Sequence, residues 1–454
     1  MNNCIKWILA LVSTLNATTA TAADFSLLGA EVSLSGFGTA GFAISDKPYN
    51  FERVISNDGT MERDSLVGAQ ADLKFTAEIS ATVQGKFAPS KDKESAWEAS
   101  LIWACLSWRP YNDLLFRIGK QRVPIYLYSE SMDVGVTYDF ARLPTEMYST
   151  APNTDYIGGS FSKSWDIDLG ELTLDGFLGE STSSWRDYQR DNIQIPSYPL
   201  KPGANYLPFT ADTIGSVLTL QRDENRFRAS FQYVDINMDD GVTFGTSETL
   251  MPASFFVPAT LAPALIGSAY TVLPQNFGNK LTSLVITLGT EIKLPEDFRL
   301  IGEYSRRQIN GYVTGIDTNG GYFAVLKDID GWTPYVSFAM LKTKSDVLDL
   351  YQMINSNAGV SVNPLAPPIF QSIAKDAAVL ANASQRVVAD ALAAFDQHTI
   401  AVGTSYSFTP TQKIKLEWAR THIGVTSNFV DAPSGSSVSN EDIDVFSFSY
   451  NVVF

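Results

Sequence analysis

The sequence predicts an all-β protein in which sixteen antiparallel strands run up and down and close into a transmembrane β-barrel. Two observations support this prediction. Segments of alternating apolar and polar residues recur along the whole chain, as expected of strands with one apolar and one polar face. Short and long connections between these segments take turns, which is typical of barrels with brief turns on one side of a membrane and long loops on the other.

The composition limits the partners and the class of membrane protein. The chain carries 33 Lys and Arg against 49 Asp and Glu, a formal net charge of −16. Phosphate binding needs a basic surface, so nucleic acid is not an expected partner. Residues 1–23 combine a positive charge at Lys6, an apolar run and a final stretch of small residues that suits cleavage. They therefore predict a signal peptide cleaved before Asp24. No later apolar run is long enough for a membrane-spanning helix. Cleavage of the signal peptide removes Cys4, so Cys105 is the only cysteine of the mature chain and no intrachain disulfide can form.

Each predicted strand has one face for lipid and one that tolerates charge. In RFRASFQYV, for example, Phe227, Phe231 and Tyr233 alternate with Arg226 and Arg228. The sixteen strands begin near Glu31, Asp64, Ser80, Trp97, Asp113, Tyr156, Glu171, Ala211, Arg226, Lys280, Phe298, Gly320, Trp332, Gln397, Thr411 and Glu441.

Both termini of the chain are expected on the side of the short turns, because the number of strands is even. The short turns are predicted at 75–80, 109–113, 166–171, 222–225, 294–298, 327–331 and 409–412. The long connections are predicted near 45–63, 89–96, 121–155, 181–210, 238–280, 309–319, 343–396 and 424–440. A closed barrel pairs every backbone polar group that lies in lipid, so we expect residues 24–454 to form a single transmembrane barrel.

The last nine residues, FSFSYNVVF, alternate in the same way. One face carries Phe446, Phe448, Tyr450, Val452 and Phe454. This ending resembles the C-terminal signal that the barrel-assembly machinery reads on outer-membrane proteins. The resemblance implies that this machinery is a partner, and that the protein lies among the lipids of the outer membrane of a Gram-negative bacterium.

Over essentially its whole mature length the chain resembles the general porins of Gram-negative bacteria. Those proteins have sixteen strands, form trimers, and fold the third outer loop into the barrel as a constriction. The third long connection here, 121–155, falls in that place and reads QRVPIYLYSESMDVGVTYDFARLPTEMYSTAPNTD. The second long connection, 89–96, is short where the resemblance would place the latch between subunits, so a homotrimer is one possible assembly and is left open.

The charged residues of this loop and of the strands suit a constriction. The expected acidic lining is Glu130, Asp133, Asp139 and Glu146. The strand-borne bases assigned to the lumen are Lys74, Lys86, Arg117, Arg226, Arg228, Arg299, Arg307, Lys413 and Lys415. Opposed charges across a narrow water channel orient polar solutes and tune selectivity. The alternative is ordinary lumen filling, in which these charges pair with each other. The acidic balance of the loops weakly favours cations.

Residues 367–396 predict a helix in the seventh long connection, because apolar residues such as Ile369, Ile373 and Leu380 recur near helical spacing after a proline start. This helix could cover the pore mouth, fold into the lumen, contact a neighbouring subunit or lie plainly on the surface. Enzymatic chemistry has little support in the sequence. His398 and His422 have no metal-ligand cluster beside them, and no nucleophile motif is present. We therefore expect neither an enzyme nor a cofactor.

These observations predict an outer-membrane porin through which small hydrophilic solutes and ions diffuse passively. A substrate-specific channel for a sugar or a dicarboxylate, with a saturable site, is the nearest alternative. A structural or adhesive barrel that conducts nothing, and a barrel enzyme, are further alternatives.

Overall fold

The computed structural model describes residues 23–27, 29–151, 153–192, 201–238, 244–252, 257, 259–310, 316–433 and 438–454. The predicted signal peptide, 1–23, lies outside these residues except for Ala23, which begins the first strand. Within the described ranges there are 21 strands: β1 (Ala23–Leu27), β2 (Ala30–Ser45), β3 (Leu66–Lys74), β4 (Ile79–Pro89), β5 (Trp97–Tyr111), β6 (Leu114–Arg122), β7 (Asp155–Ile167), β8 (Gly170–Gln189), β9 (Gly203–Arg222), β10 (Asn225–Met238), β11 (Phe244–Pro252), β12 (Leu265–Ser268), β13 (Tyr270–Gly278), β14 (Lys280–Lys293), β15 (Phe298–Asn310), β16 (Thr318–Lys327), β17 (Trp332–Thr343), β18 (Gly359–Val362), β19 (Phe395–Thr409), β20 (Gln412–Ser427) and β21 (Glu441–Val453). The helices are α1 (Thr145–Tyr148), α2 (Ser345–Ser356) and α3 (Pro368–Ala391), and 3-10 turns occupy Gly135–Thr137, Ala262–Ala264 and Pro295–Asp297.

Sixteen of the described strands form a closed antiparallel barrel, as predicted. These are all the strands except β1, β11, β12, β13 and β18, and each pairs with the next one along the chain. The barrel closes where β21 pairs with β2, from Phe37 opposite Val453 to Ser45 opposite Val445. Closure leaves none of these sixteen strands as an edge strand of the barrel, which is what a sheet in lipid requires.

The alternation of short and long connections is confirmed. The strand pairs β3–β4 and β5–β6 are joined by 75–78 and 112–113, whereas 46–65 joins β2 to β3 and 123–154 joins β6 to β7. Strand β1 is the one extra strand of the barrel sheet. It folds back on β2 with Leu27 opposite Ala30, at the end of the barrel that carries the short turns.

Side-chain exposure alternates along the barrel strands. On β10, Phe227, Phe231 and Tyr233 are exposed on the outside while Ser230 and Gln232 are buried inside. The same outward band of large apolar side chains continues around the wall. Aromatic pairs lie near the strand ends, as interfacial girdles do: Trp108 with Phe116, Trp332 with Tyr406, and Phe87 with Trp97. This architecture is that of a protein of the Gram-negative outer membrane.

The side chains of the last strand follow this alternation. Ser447, Ser449 and Asn451 are buried inside the barrel, and the apolar residues between them lie on the outer face. Phe454 extends the pairing beyond β21: its backbone N–H and C=O both bond to Gly36, at 2.9 and 2.7 Å.

A helix in the seventh long connection, predicted over 367–396, is confirmed as α3, but it ends at Ala391, and Phe395 already belongs to β19. It packs against β18, β13 and the far end of β8, among the long loops. Its buried face consists of small and polar side chains, Ala374, Ala378, Ala381, Gln385 and Ala389, while Ile369, Ile373 and Leu380 are exposed. None of the helices within the described ranges is both long and apolar enough to cross a membrane.

Candidate functional site

The long connection between β6 and β7 lies inside the barrel. Its apolar side chains, including Ile125, Leu127, Phe140 and Met147, are buried in one cluster with residues of the inner wall. The wall residues of this cluster come from strands β7 to β17: Tyr156, Phe177, Val217, Val285, Ile301, Tyr322, Ala324, Leu326, Tyr335 and Ala339. This part of the wall, which we call the covered wall, is therefore packed against the loop and dry.

Strand side chains satisfy the loop's backbone. The carbonyl of Ile125 accepts hydrogen bonds from Ser230 Oγ at 3.0 Å and Thr287 Oγ1 at 2.7 Å. On β15, the Glu303 carboxylate accepts the backbone N–H of Leu127 at 2.7 Å and the Tyr322 hydroxyl at 3.0 Å. Buried backbone groups without partners would be costly, so these bonds hold the loop in one position within the lumen.

Asp133 attaches the loop to the wall on the side of β4 and β6. Lys86 Nζ donates to its Oδ1 at 2.5 Å, and the Arg122 guanidinium binds the other oxygen of the same carboxylate. The Arg122 side chain is 1 % exposed. Sequence alternation did not identify Arg122, because it is the last residue of β6, where the chain leaves the wall and enters the lumen.

Asp139 attaches the loop on the side of β15, β19 and β20. Its carboxylate forms ion pairs with Arg299 and with Lys413, the latter at 2.7 Å, and accepts a hydrogen bond from Ser405 Oγ at 2.8 Å. The neighbouring Lys415 is buried; its Nζ donates to the Phe140 carbonyl at 2.9 Å and lies 3.6 Å from the centre of the Tyr138 ring. The loop thus crosses the lumen from Lys86 on β4 to Arg299 on β15, a strand on the opposite side of the ring.

The other two predicted acids have different surroundings. Glu146, in α1, is 3 % exposed and accepts hydrogen bonds from Gln397 Nε2 at 2.8 Å and from the Thr399 hydroxyl. It has no cation within ion-pair distance among the described residues, and burial raises the pKa of its carboxyl. Glu130 is exposed and forms no ion pair with the described part of the chain. Only two of the four predicted acids therefore face bases.

A further anchor, missed from the sequence, joins the loop to the first long connection. Arg142 pairs with Asp64 at 2.6 Å and with Glu52 at 3.5 Å, and Arg63 pairs with Glu52 at 3.0 Å. Burial opposes ionisation of Asp64, but the charges of Arg142 and Arg63 outweigh this and lower its pKa. The sequence carries no signal for this anchor, because all its residues lie in loops. Loops have no alternation of apolar and polar residues from which the direction of a side chain could be predicted.

The remaining predicted bases are distributed along the inner wall. Arg226 pairs with Glu291 at 2.9 Å, and Arg228 donates to the Tyr126 carbonyl at 3.2 Å. Lys74 pairs at 3.0 Å with an exposed carboxylate, that of Glu31, near the short turns.

Two bases form neither an ion pair nor a side-chain hydrogen bond with the described residues. Arg117 is partly exposed on the inner face of β6, and Arg307 is buried on β15.

The inner wall from β3 to β6 is polar and is not part of the apolar cluster of the loop. On it, Thr82 donates to Asp72 at 2.6 Å and Gln84 to Gln70 at 2.9 Å. Arg117 lies on the same part of the wall. We call this part the open wall, because its polar side chains are the ones left for water in the lumen.

A cavity of about 550 Å³ lies between the loop and the long connections above it. It is lined by the connections 46–65 and 90–96, by the inner loop, and by residues of β8 and β9. Beyond Ser183 and Phe209 these two strands pair only with each other, so that 184–189 and 203–208 form a two-stranded arm past the barrel rim.

One arginine of the arm spans the mouth of the barrel. Arg186 makes a bidentate ion pair with Asp431, at 2.7 and 2.9 Å, and a further pair with Glu94 at 2.8 Å. Asp431 follows β20, and β8 and β20 lie on opposite sides of the sixteen-strand ring. The sequence did not indicate this contact, because the arm was expected to be part of a loop.

The described residues offer no group of three or more His, Cys, Asp or Glu side chains that could hold a metal ion. The histidines lie on the outer face, where His398 and His422 have ring centres 5.1 Å apart and His422 bonds to Asp442 at 2.8 Å.

Comparison with known proteins gives distant structural likenesses. No protein-family model and no curated protein matches the chain. Among solved structures, outer-membrane-expressed OmpT of Vibrio cholerae matches with a TM-score of 0.49 and 10 % identity, over 95 % of this chain and 100 % of that chain. The outer-membrane channel DcaP of Acinetobacter baumannii matches with a TM-score of 0.49 and 9 % identity, over 96 % and 100 %. An anion-selective porin from Comamonas acidovorans matches with 0.48 and 10 %, over 94 % and 100 %. These likenesses are too distant to transfer a property to this chain.

Proposed function

We propose that the protein is a passive outer-membrane channel for small hydrophilic solutes and ions, with the loop 123–154 as its constriction. The observation that carries the proposal is the position of this loop. It crosses a barrel wide enough for an aqueous channel and leaves the polar open wall partly exposed around Asp72, Thr82 and Arg117. Solutes would pass between the loop and the open wall, down their gradient and without a cofactor.

The proposed filter combines size with charge. Asp133 and Asp139 are held by bases on opposite sides of the lumen, and Glu130 and Arg117 are free to face solutes. Fixed charges across a narrow passage orient dipolar solutes and set ion preference. Apolar solutes would be disfavoured, because the field does not stabilise them and they still have to shed water to enter the narrow passage.

The partners of the proposed channel are the lipids of the outer membrane and the barrel-assembly machinery, which would read the alternating C-terminal strand. The solute is the remaining partner. A substrate-specific channel is the second candidate, and it is favoured by a buried base in the cavity above the loop, Arg307.

Conductance in a planar lipid bilayer tests the proposal. We expect stepwise openings from purified protein whose folding is verified by heat-modifiable migration on a gel. Three equal steps in each insertion event would indicate a homotrimer. Silence from a correctly folded barrel would contradict the proposal and favour a plugged, adhesive or enzymatic barrel.

Two variants on one strand test the path along the open wall. Arg117→Ala removes a positive charge from the inner face of β6, so we expect the reversal potential under a salt gradient to move toward cation preference. Lys120→Ala is the matched control, because Lys120 pairs at 3.3 Å with Asp155 instead of facing the lumen unpaired. Equal reversal potentials in wild type and Arg117→Ala would remove this wall from the conducting path.

A further inference from the structure

We propose that the cavity above the inner loop binds a small solute carrying a carboxylate or phosphate group, with the Arg307 guanidinium as its principal contact. This inference rests on the proposed channel function and names the class of solute that the channel would take. It is carried by the charge of the cavity, by the pairing of the charges that line it and by the burial of Arg307.

The charge of the cavity is opposite to that of the chain. Eight basic and four acidic residues line it, although the protein as a whole carries a formal charge of −16. A concave site with one sign of charge and low-dielectric walls concentrates ions of the other sign. The cavity is therefore expected to attract anions, against the weak cation preference that the loop composition suggested.

Most of the lining bases are neutralised by nearby acids. Arg63 and Arg142 pair with Glu52 and Asp64, Lys86 pairs with Asp133, and Arg186 pairs with Asp431 and Glu94. Arg53 lies 3.7 Å from Glu94.

Three lining bases have no acidic partner in the described ranges: Lys91, Lys93 and Arg307. Lys91 Nζ donates to a neutral group, Thr154 Oγ1, at 2.9 Å. The uncompensated positive charge of the cavity therefore comes from the 90–96 connection and from β15.

Arg307 is the buried member of these three. It is 7 % exposed and stands on the inner face of β15, in register with Val285 on β14 and Thr318 on β16. Among the described residues no acid lies within ion-pair distance of its guanidinium, and no group accepts a hydrogen bond from it. Arg122, by contrast, is also buried but is paired with Asp133.

A buried cation without a partner is unfavourable, since burial removes water and no opposite charge replaces it. An anion in the cavity would supply that charge. The planar guanidinium presents paired N–H donors that match the two oxygens of a carboxylate or phosphate. The volume is in the range of small-molecule sites, and Lys91 and Lys93 would supply charge for a second acidic group.

Block of single-channel current by succinate and by inorganic phosphate tests the site. We expect saturable block of the wild type by at least one of them, added on the long-loop side. Arg307→Gln should weaken that block about tenfold, which is the lower end of the loss expected for a hydrogen bond to a charged group. Which of the two anions blocks at the lower concentration would distinguish carboxylate from phosphate recognition.

The neighbouring arginine provides the control. Arg306→Gln removes the same charge from the same strand, but Arg306 lies on the opposite face and pairs with Asp317, so it should leave block unchanged. Arg307→Lys keeps the charge without the fork and should retain partial block, which also covers a failure of Arg307→Gln to fold.

Calorimetric titration of the same variants with succinate and phosphate in detergent separates the two proposals. Stepwise conductance with neither block nor heat of binding would overturn the anion site and leave the channel intact. An Arg307→Gln variant that binds as tightly as wild type would overturn it as well. Binding that depends on Arg307 in a barrel that never conducts would support the site and contradict the channel.

Discussion

Asp133 shows how a single carboxylate can determine the position of a loop inside a barrel. Its two oxygens bind two different bases, Lys86 from β4 and Arg122 from the end of β6. All three side chains are nearly dry, so each charge depends on the others. Glu130, three residues earlier in the same loop, is exposed and unpaired among the described residues, and its charge is free for solutes.

This difference predicts unequal effects of two similar substitutions. Asp133→Asn should leave two buried cations without an anion, at a cost of about 3–5 kcal/mol to the docking of the loop. Glu130→Gln should cost almost nothing, because an exposed carboxylate is solvated. Hydrogen exchange of the amides in 123–154 measures both. Equal protection of the loop in the two variants would contradict a docking role for Asp133.

Alternation along the strands assigned individual residues to the inner face. Lys86, Arg299 and Lys413 were expected there, and the structure places their side chains against the loop acids. Arg142 could not be found in this way, because its partners come from a different loop. The alternation of apolar and polar residues also does not distinguish two acids of the loop: Asp139 forms ion pairs, whereas Glu130 forms none with the described residues.

The arm formed by 184–189 and 203–208 extends two strands beyond the membrane and over the mouth. The alternation that predicts this strand ends near residue 181, because STSSWRDYQ has no apolar face. An arm with water or loops on both sides needs none. Helix α2 was missed for another reason: its buried residues Val347, Leu348 and Ile354 occupy a short segment of a long connection.

Arg186 should hold the arm in place. Arg186→Leu removes the bidentate pair with Asp431 and the pair with Glu94, which we expect to destabilise the bridged state by about 3 kcal/mol, since Asp431 stays buried without a partner. Spin labels at Ala204 and Ser439 would then report a broader distance distribution across the mouth. Arg222→Leu, at the exposed far end of β9, is the control. A narrow distribution in both variants would show that other contacts hold the arm.

The whole barrel depends on the pairing of its first and last strands. Phe454 takes part through its backbone bonds to Gly36, and its ring lies over Gly36, where a Cβ atom would collide with it. At Gly38, two residues along the same strand, the nearest atom to a Cβ would be 3.6 Å away. Closure is thus tightly packed at one of two neighbouring glycines and loosely packed at the other.

Gly36→Ala should therefore weaken closure by about 1–3 kcal/mol, the usual cost of overpacking, unless the Phe454 ring swings aside. Gly38→Ala should be tolerated, because the added methyl group meets atoms at ordinary contact distance. The fraction of heat-modifiable protein recovered in the outer membrane measures the difference. Equal recovery of the two variants would mean that the seam accommodates the extra methyl group.

The fold of the whole molecule was the most predictable level. Lipid requires apolar residues at every second position of each spanning strand, and an up-and-down barrel alternates short turns on one side of the membrane with long loops on the other. The order of sixteen strands followed from these two rules alone. The packing of the inner loop did not, because it depends on which apolar residues of the loop and of the covered wall meet in space.

The covered wall makes the barrel asymmetric about its own axis. On β9, β14, β15 and β16, both faces are apolar where Val217, Val285, Ile301 and Leu326 meet the loop, so these strands have the core of a soluble protein on one side and lipid on the other. A nanopore engineered from this chain would have to be tuned on β3 to β6. Substitutions on the opposite half would be judged as core mutations, by the stability of the protein instead of by its current.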